Sequence, residues 1–248
     1  GAGERRENHL KRVLAATLSY NNYFISFLES IMSFYRTMYA LLNPLVRLCY
    51  RLEIRGEENI PVDSGCILAA NHTAFSDVLI VSAAAKRQVR YMAKKELFRI
   101  PVLGGLIRAM GAYPVNRGGA DVASIKYTIG LIESGELIGI FPQGHRHGFE
   151  DPRETEIKGG VGLIEYHTRS TVLPVYIDNK RGKTGIFRKN IVIFGKPIAF
   201  EELDFSPGGS KGYLNASREI FRRICALKFG ENTTLAQPKA GGAIEKPE

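Results

Sequence analysis

The chain has 248 residues, 44% of them hydrophobic, and 34 lysines and arginines against 25 acids give it a formal net charge of +9. That length and apolar content suffice for one sizeable core. Cys49, Cys66 and Cys225 lie far apart in apolar settings with no C-x-x-C pair, so a disulfide framework is excluded and buried free thiols in a reducing compartment are expected.

The first residues, Gly1 to Glu7, read as a frayed terminus, and no signal-peptide pattern is visible. Phe24, Phe27, Leu28 and Ile31 recur at helical spacing, and the pattern continues through Phe34, Tyr35, Met38, Leu41 and Leu42 until Asn43-Pro44 interrupts it. A short apolar helix from Leu45 to Tyr50 is expected next. Arg36 and Arg47 cut this region, leaving it short of the roughly 18 uncharged residues of a spanning helix. Aromatic and aliphatic bulk interleaved with arginine fits amphipathic helices lying in a membrane interface. Residues 1–50 are therefore expected to form an N-terminal extension with such helices, 51–230 one α/β domain, and 231–248 a disordered tail.

Leu52 to Gly56 has strand alternation, and Glu57 to Gly65 is a polar loop. Cys66-Ile67-Leu68-Ala69-Ala70 then reads as a buried strand, followed by the polar knot Asn71-His72-Thr73-Ala74-Phe75-Ser76-Asp77 and an apolar helix near 78–85. The spacing of His72 and Asp77 is informative. Five helical steps would set them roughly 140° apart, so they can meet only if His72 precedes the helix and Asp77 lies in its first turn. The carboxylate would then accept one imidazole N–H and leave the other nitrogen free to take a proton from a hydroxyl. The alternative is a satisfied turn histidine beside an early-helix acid favoured by the helix dipole.

Lys86, Arg87, Arg90, Lys94, Lys95, Arg99, Arg108 and Arg117 face only Glu96 within their span, a run suited to a polyanion such as nucleic acid or an anionic membrane. Val89 to Ala93 and Ala112 to Val115 are expected strands whose ends deliver Lys94 and Arg117 to the edge that carries His72, where they could bind an anion. A helix marked by Val122, Ile125, Ile129 and Ile132 leads to the buried strand Leu137 to Phe141. The turn after it, Pro142-Gln143-Gly144-His145-Arg146, can present backbone N–H groups and a guanidinium to a phosphate. His145 and His147 have no cysteine or carboxylate cluster at ligand spacing, and no metal site is expected. A helix at 161–167, strands at 172–177 and 191–194 joined by the basic loop Lys180 to Lys189, and a helix at about 211–229 complete the pattern. The fold class is α/β, with a central mixed, mostly parallel sheet flanked by helices and preceded by the N-terminal amphipathic helices.

Four blocks now carry a resemblance covering about residues 34–230. His72 and Asp77 match the N-H-x-x-x-x-D block of the glycerolipid acyltransferase family, most closely its bacterial 1-acyl-sn-glycerol-3-phosphate acyltransferases. Lys94 and the Gly111 to Arg117 run match the second block, Phe141 to Arg146 stands where F-P-E-G-T-R is expected, and Val172-Leu173-Pro174-Val175 fits the fourth. In the third block Gln143 replaces a glutamate and His145 a threonine, while Gly144 and Arg146 are kept. The resemblance implies acyl transfer from acyl-CoA or acyl-carrier protein to the sn-2 hydroxyl of lysophosphatidic acid, giving phosphatidic acid, at the cytoplasmic face of the cell membrane. It further implies His72 as general base, Asp77 as its orienter, and Lys94, Arg117 and Arg146 as holders of the acceptor phosphate. It implies no cofactor and no nucleic-acid partner. Gln143 and His145 keep open a relative that acylates glycerol 3-phosphate or a lyso-aminolipid. The basic run alone keeps open a non-catalytic anionic-lipid binding module.

Overall fold

Five consecutive apolar residues can all be buried only where a sheet is covered on both faces. In the computed structural model, which describes residues 37, 39–115 and 121–237, every residue of Cys66–Ala70 (β2) is buried. The other strands are β1 (Leu52–Arg55), β3 (Val89–Lys94), β4 (Tyr113–Val115), β5 (Leu137–Ile140), β6 (Thr171–Asp178) and β7 (Asn190–Phe194). They form one seven-stranded sheet in the order β1-β7-β6-β2-β5-β3-β4. From β6 to β4 all neighbours are parallel, whereas β7 runs antiparallel to β6 and carries β1 parallel to itself. The sheet is thus mixed and mostly parallel, as its sequence pattern implies.

The described helices are α1 (residues 39–49), α2 (Asp77–Ala84), α3 (Leu103–Ala109), α4 (Val122–Glu133), α5 (Gly160–Thr168) and α6 (Gly209–Phe229). Alternate strand residues face opposite layers. Ile67, Ala69, Ile138, Val172 and Tyr176 pack with Ile132, Ile164, Ile220, Phe221 and Ile224 from α4, α5 and α6. Cys66, Leu68, Leu137, Leu173 and Val175 pack instead with Ile80, Val81 and Ala84 from α2. By internal contacts the chain divides into units Gly1–Asn43 and Pro44–Glu248, and the sheet with α2 to α6 belongs to the second. Of the first, residues 37 and 39–43 are described, and they are helical.

Several expectations need correction. Residues 39–49 are helical throughout, so Asn43-Pro44 does not end the helix; proline withdraws one backbone donor and bends a helix without having to stop it. The amphipathic pattern expected up to Arg36, and Met38, lie outside the described residues. Between β3 and β4, a stretch to which the sequence pattern assigns no element, Lys95–Arg99 forms a 3-10 turn and α3 follows. Gly104 serves close packing here, since a Cβ on it would sit 2.3 Å from the Phe98 carbonyl oxygen.

The tail is not disordered at its start. Ala236 N–H donates to the Arg153 carbonyl at 2.9 Å, Arg218 donates to the Ala236 carbonyl, and Leu235 packs on the core. These contacts hold residues 231–237, and 238–248 lie outside the described residues.

The basic run is not one surface either. Lys86 pairs with Glu57 at 2.8 Å, Arg90 pairs with Glu136 at 2.7 Å, and Arg87 donates to the carbonyls of Pro61, Ser64 and Gly135. Folding brings in acids that are distant in sequence, and β3 separates these residues from Lys94 by about 15 Å.

Candidate active site

The site grows from the end of β2, where the chain must leave a buried strand and satisfy its backbone without a ladder. Asn71 does this by clamping β6: its Nδ2 donates to the Ile177 carbonyl at 3.1 Å and its Oδ1 accepts from the Ile177 N–H at 2.7 Å. His72 is then held through its own backbone. Its N–H donates to Gln143 Oε1 at 2.7 Å, and its carbonyl accepts from the His147 N–H at 2.8 Å. The turn after β5 thereby grips the turn after β2.

The His72 ring stacks on Phe141, with centroids 4.0 Å apart and planes 15° from parallel, and Phe141 in turn stacks on Tyr91 at 6.0 Å. Its Nδ1 lies 2.9 Å from Asp77 Oδ2. Asp77 is the first residue of α2 and His72 lies before the helix, the one arrangement in which their spacing allows contact. Since the carboxylate accepts, Nδ1 is the donor of the neutral ring and its unshared electron pair is at Nε2. No described residue hydrogen-bonds Nε2, and the His72 side chain is 15% exposed.

Asp77 is fully buried and surrounded by donors. Oδ2 also accepts from the N–H groups of Thr73 and Ala74, at 2.5 and 2.8 Å, while Oδ1 accepts from the hydroxyls of Thr73 at 3.2 Å and Thr184 at 2.7 Å. Such a cage leaves the carboxylate no rotational freedom, so it fixes the imidazole it holds. Thr184 comes from the β6–β7 loop, 107 residues away from Asp77 in the chain, and no local pattern in the sequence marks it. Its hydroxyl is also 2.9 Å from Ser76 Oγ.

Gln143 is 2% exposed, and both ends of its amide are occupied, because Nε2 donates to Thr155 Oγ1 at 2.8 Å. It supports the His72 turn and does not face solvent. Gly144, with φ of 71°, closes the turn through its N–H to the Phe141 carbonyl at 2.9 Å. That left-handed backbone favours glycine. His145 and Arg146 follow on the exposed side of the turn.

Lys94 ends β3 and is exposed. Cys66 and Val89 both pair with Leu137, so five residues on, Lys94 is level with Asn71. One strand lies between them, a lateral gap of about 10 Å. Lys94, Gly144 and Arg146 therefore share the strand-end edge with His72, and Arg117 lies outside the described residues.

A cavity of about 190 Å³ borders His72, Asn71 and Gln143 on one side and Tyr176, Asp178 and Lys228 on the other. Among the described residues no three His, Cys, Asp or Glu side chains gather as metal ligands, and no helix is long and apolar enough to cross a membrane. Burial pushes the Cys66 and Cys225 thiols up to about 12, which removes them as nucleophiles.

Comparison with known proteins adds to this geometry. Residues 51–178 match the protein family described as Acyltransferase. A 1-acyl-sn-glycerol-3-phosphate acyltransferase of Bacillus subtilis is 31% identical over 175 residues, 69% of this chain and 85% of its own. One from Streptococcus pneumoniae is 32% identical over 167 residues, 65% of this chain and 61% of its own length. The crystal structure of the 1-acyl-sn-glycerophosphate (LPA) acyltransferase PlsC from Thermotoga maritima superposes with a TM-score of 0.53 at 21% identity, covering 81% of this chain and 80% of that one, which establishes likeness of fold.

Proposed function

This chain belongs to the acyltransferase family, and from that premise we propose that it acylates the sn-2 hydroxyl of lysophosphatidic acid to give phosphatidic acid. The relatives' activity supports the acceptor. The observation that carries the chemistry is the His72 ring, tied at Nδ1 to buried Asp77 with no described residue hydrogen-bonded to Nε2.

In this reading Nε2 takes the proton of the acceptor hydroxyl as its oxygen attacks the thioester carbonyl. The tetrahedral intermediate collapses, the carbon–sulfur bond breaks, and the imidazolium returns its proton to the leaving thiolate. No acyl-enzyme forms, so no side-chain nucleophile is needed. General-base assistance of this kind contributes roughly 10² to 10⁴ in rate. Asp77 keeps the ring in the productive tautomer and orientation. Lys94 and Arg146, with the Gly144 turn, attract the acceptor phosphate from the same edge, and Arg117 joins them by the family pattern. The donor is an acyl thioester of coenzyme A or acyl-carrier protein, and the amphiphilic acceptor is drawn from an anionic membrane surface. Because the amide of Gln143 is spent on His72 and Thr155, its replacement of glutamate gives no reason to prefer another acceptor.

The test is thiol release from an acyl thioester with and without lysophosphatidic acid. Release that needs both the acceptor and His72 supports the reading; equal release by a folded His72→Ala variant would overturn it.

A further inference from the structure

The loop between β6 and β7 does more than connect strands. Its residues Lys180 to Lys189 include five cations, Lys180, Arg181, Lys183, Arg188 and Lys189, and no acid. Lys189 pairs with Glu53, while the other four are exposed with no acid bound to them among the described residues. Between the cations stand Ile186 and Phe187, 55% and 76% exposed. Folding gains nothing from leaving two such side chains in water, since burial of apolar surface is what stabilises the core.

Other apolar groups gather around the same loop. Phe149, 72% exposed, donates its N–H to the Gly182 carbonyl at 3.2 Å and lies under the Lys183 ammonium, 5.8 Å from the ring centroid. Phe187 donates its N–H to the Cys49 carbonyl at 2.6 Å, beside exposed Leu45 and Leu48. Phe75, 55% exposed, stands on the His72 turn next to Ser76, which touches Thr184 of the loop. Phe149 and Phe187 both occupy left-handed backbone, with φ of 73° and 58°. Bulky residues adopt that conformation at a cost, and two exposed phenylalanines doing so are not explained by packing.

We infer that the β6–β7 loop, with Phe149 and Phe75 beside it, is a docking surface for an anionic phospholipid membrane. Interleaved arginine, lysine and aromatic side chains match such a surface in both respects, since the cations meet lipid phosphates and the rings enter the boundary below them. The loop lies outside the family match at 51–178. It also differs from the run at 86–117, whose first cations are consumed within the fold. Its position gives the contact a purpose. Thr184, buried two residues before Ile186, holds Asp77, so the docked face adjoins the reaction centre. The inference deepens the proposed function, because an acceptor bearing an acyl chain resides in that membrane.

The experiment is partitioning of the full chain onto phosphatidylcholine vesicles with and without phosphatidylglycerol. It compares wild type, Ile186→Ser/Phe187→Ser and Lys183→Ser/Arg188→Ser, each checked by thermal melting. Both double variants should lose at least about tenfold in affinity for the anionic vesicles. The charge variant's loss should fade at high salt, and the apolar variant's should persist. Thiol release with a water-soluble short-chain lysophosphatidate should stay within about twofold of wild type in both. If that release is absent from wild type as well, the acyltransferase reading fails while the partitioning still decides the loop. Partitioning like wild type by both variants overturns the inference. So does unchanged partitioning with a raised KM for an acyl-carrier-protein thioester, which would make the loop a face for an acidic protein.

Discussion

Asp77 shows how much support one charged side chain can require. Five hydrogen bonds reach its two oxygens, and only one comes from His72. Removing the Thr184 donor takes away a bond to a charged group, worth roughly 1.5 to 3 kcal/mol. Thr184→Val is therefore expected to lower kcat about tenfold with KM for the thioester little changed, and Thr184→Ser, which restores the hydroxyl, should recover most of it. A pH–rate profile that moves in the valine variant and returns in the serine variant would separate positioning of the dyad from a general loss of fold. Asp77→Asn should lower kcat by at least about 10², since the amide no longer secures Nδ1 as the donor. Circular dichroism of the same preparation would check that the buried cage survives. His72 and Asp77 are legible in the sequence because they sit five residues apart in one motif. Thr184 is not, because nothing local distinguishes it from any other loop threonine.

At the scale of elements, the site is the meeting of three strand ends. The turn after β2 is clamped to β6 through Asn71 and to the turn after β5 through Gln143. Gln143→Leu would strand the buried His72 N–H and is expected to cost about 1 to 3 kcal/mol in urea unfolding. Gln143→Glu keeps the acceptor for that N–H. Thr155 must then turn its proton from the Pro152 carbonyl toward the new carboxylate. A small loss of stability with unchanged selectivity between lysophosphatidic acid and glycerol 3-phosphate is the expected result, and a switch of acceptor would refute the structural role given to Gln143. Glycine is a poor helix former, yet the close approach of the Phe98 carbonyl makes Gly104 the residue that lets α3 pack.

For the molecule as a whole, one buried carboxyl away from the site ties stability to pH. Glu165 on α5 is fully buried, with one oxygen bonded by Ser170 Oγ at 3.2 Å and the other without a partner among the described residues. Burial, with a smaller contribution from Glu201, pushes its carboxyl up to about 7. The folded protein thus keeps this proton to higher pH than the unfolded chain, whose carboxyl titrates near 4.5. This group's contribution to stability is greatest below the unfolded value and declines as pH rises toward 7, by on the order of 3 kcal/mol. Glu165→Gln should flatten that decline, so its advantage over wild type in urea unfolding should be larger at pH 8 than at pH 5. The sequence by itself determined the alternation of strands and helices and the motif that joins His72 to Asp77, because each rests on periodicity or spacing within a few residues. The tertiary structure alone decided that Lys86 and Arg90 are neutralised by Glu57 and Glu136, that Gln143 faces inward, and that Thr184 closes the cage around Asp77. Those depend on which distant segments the sheet order places side by side, and hydrogen bonds and ion pairs between such segments leave no periodic trace in the chain.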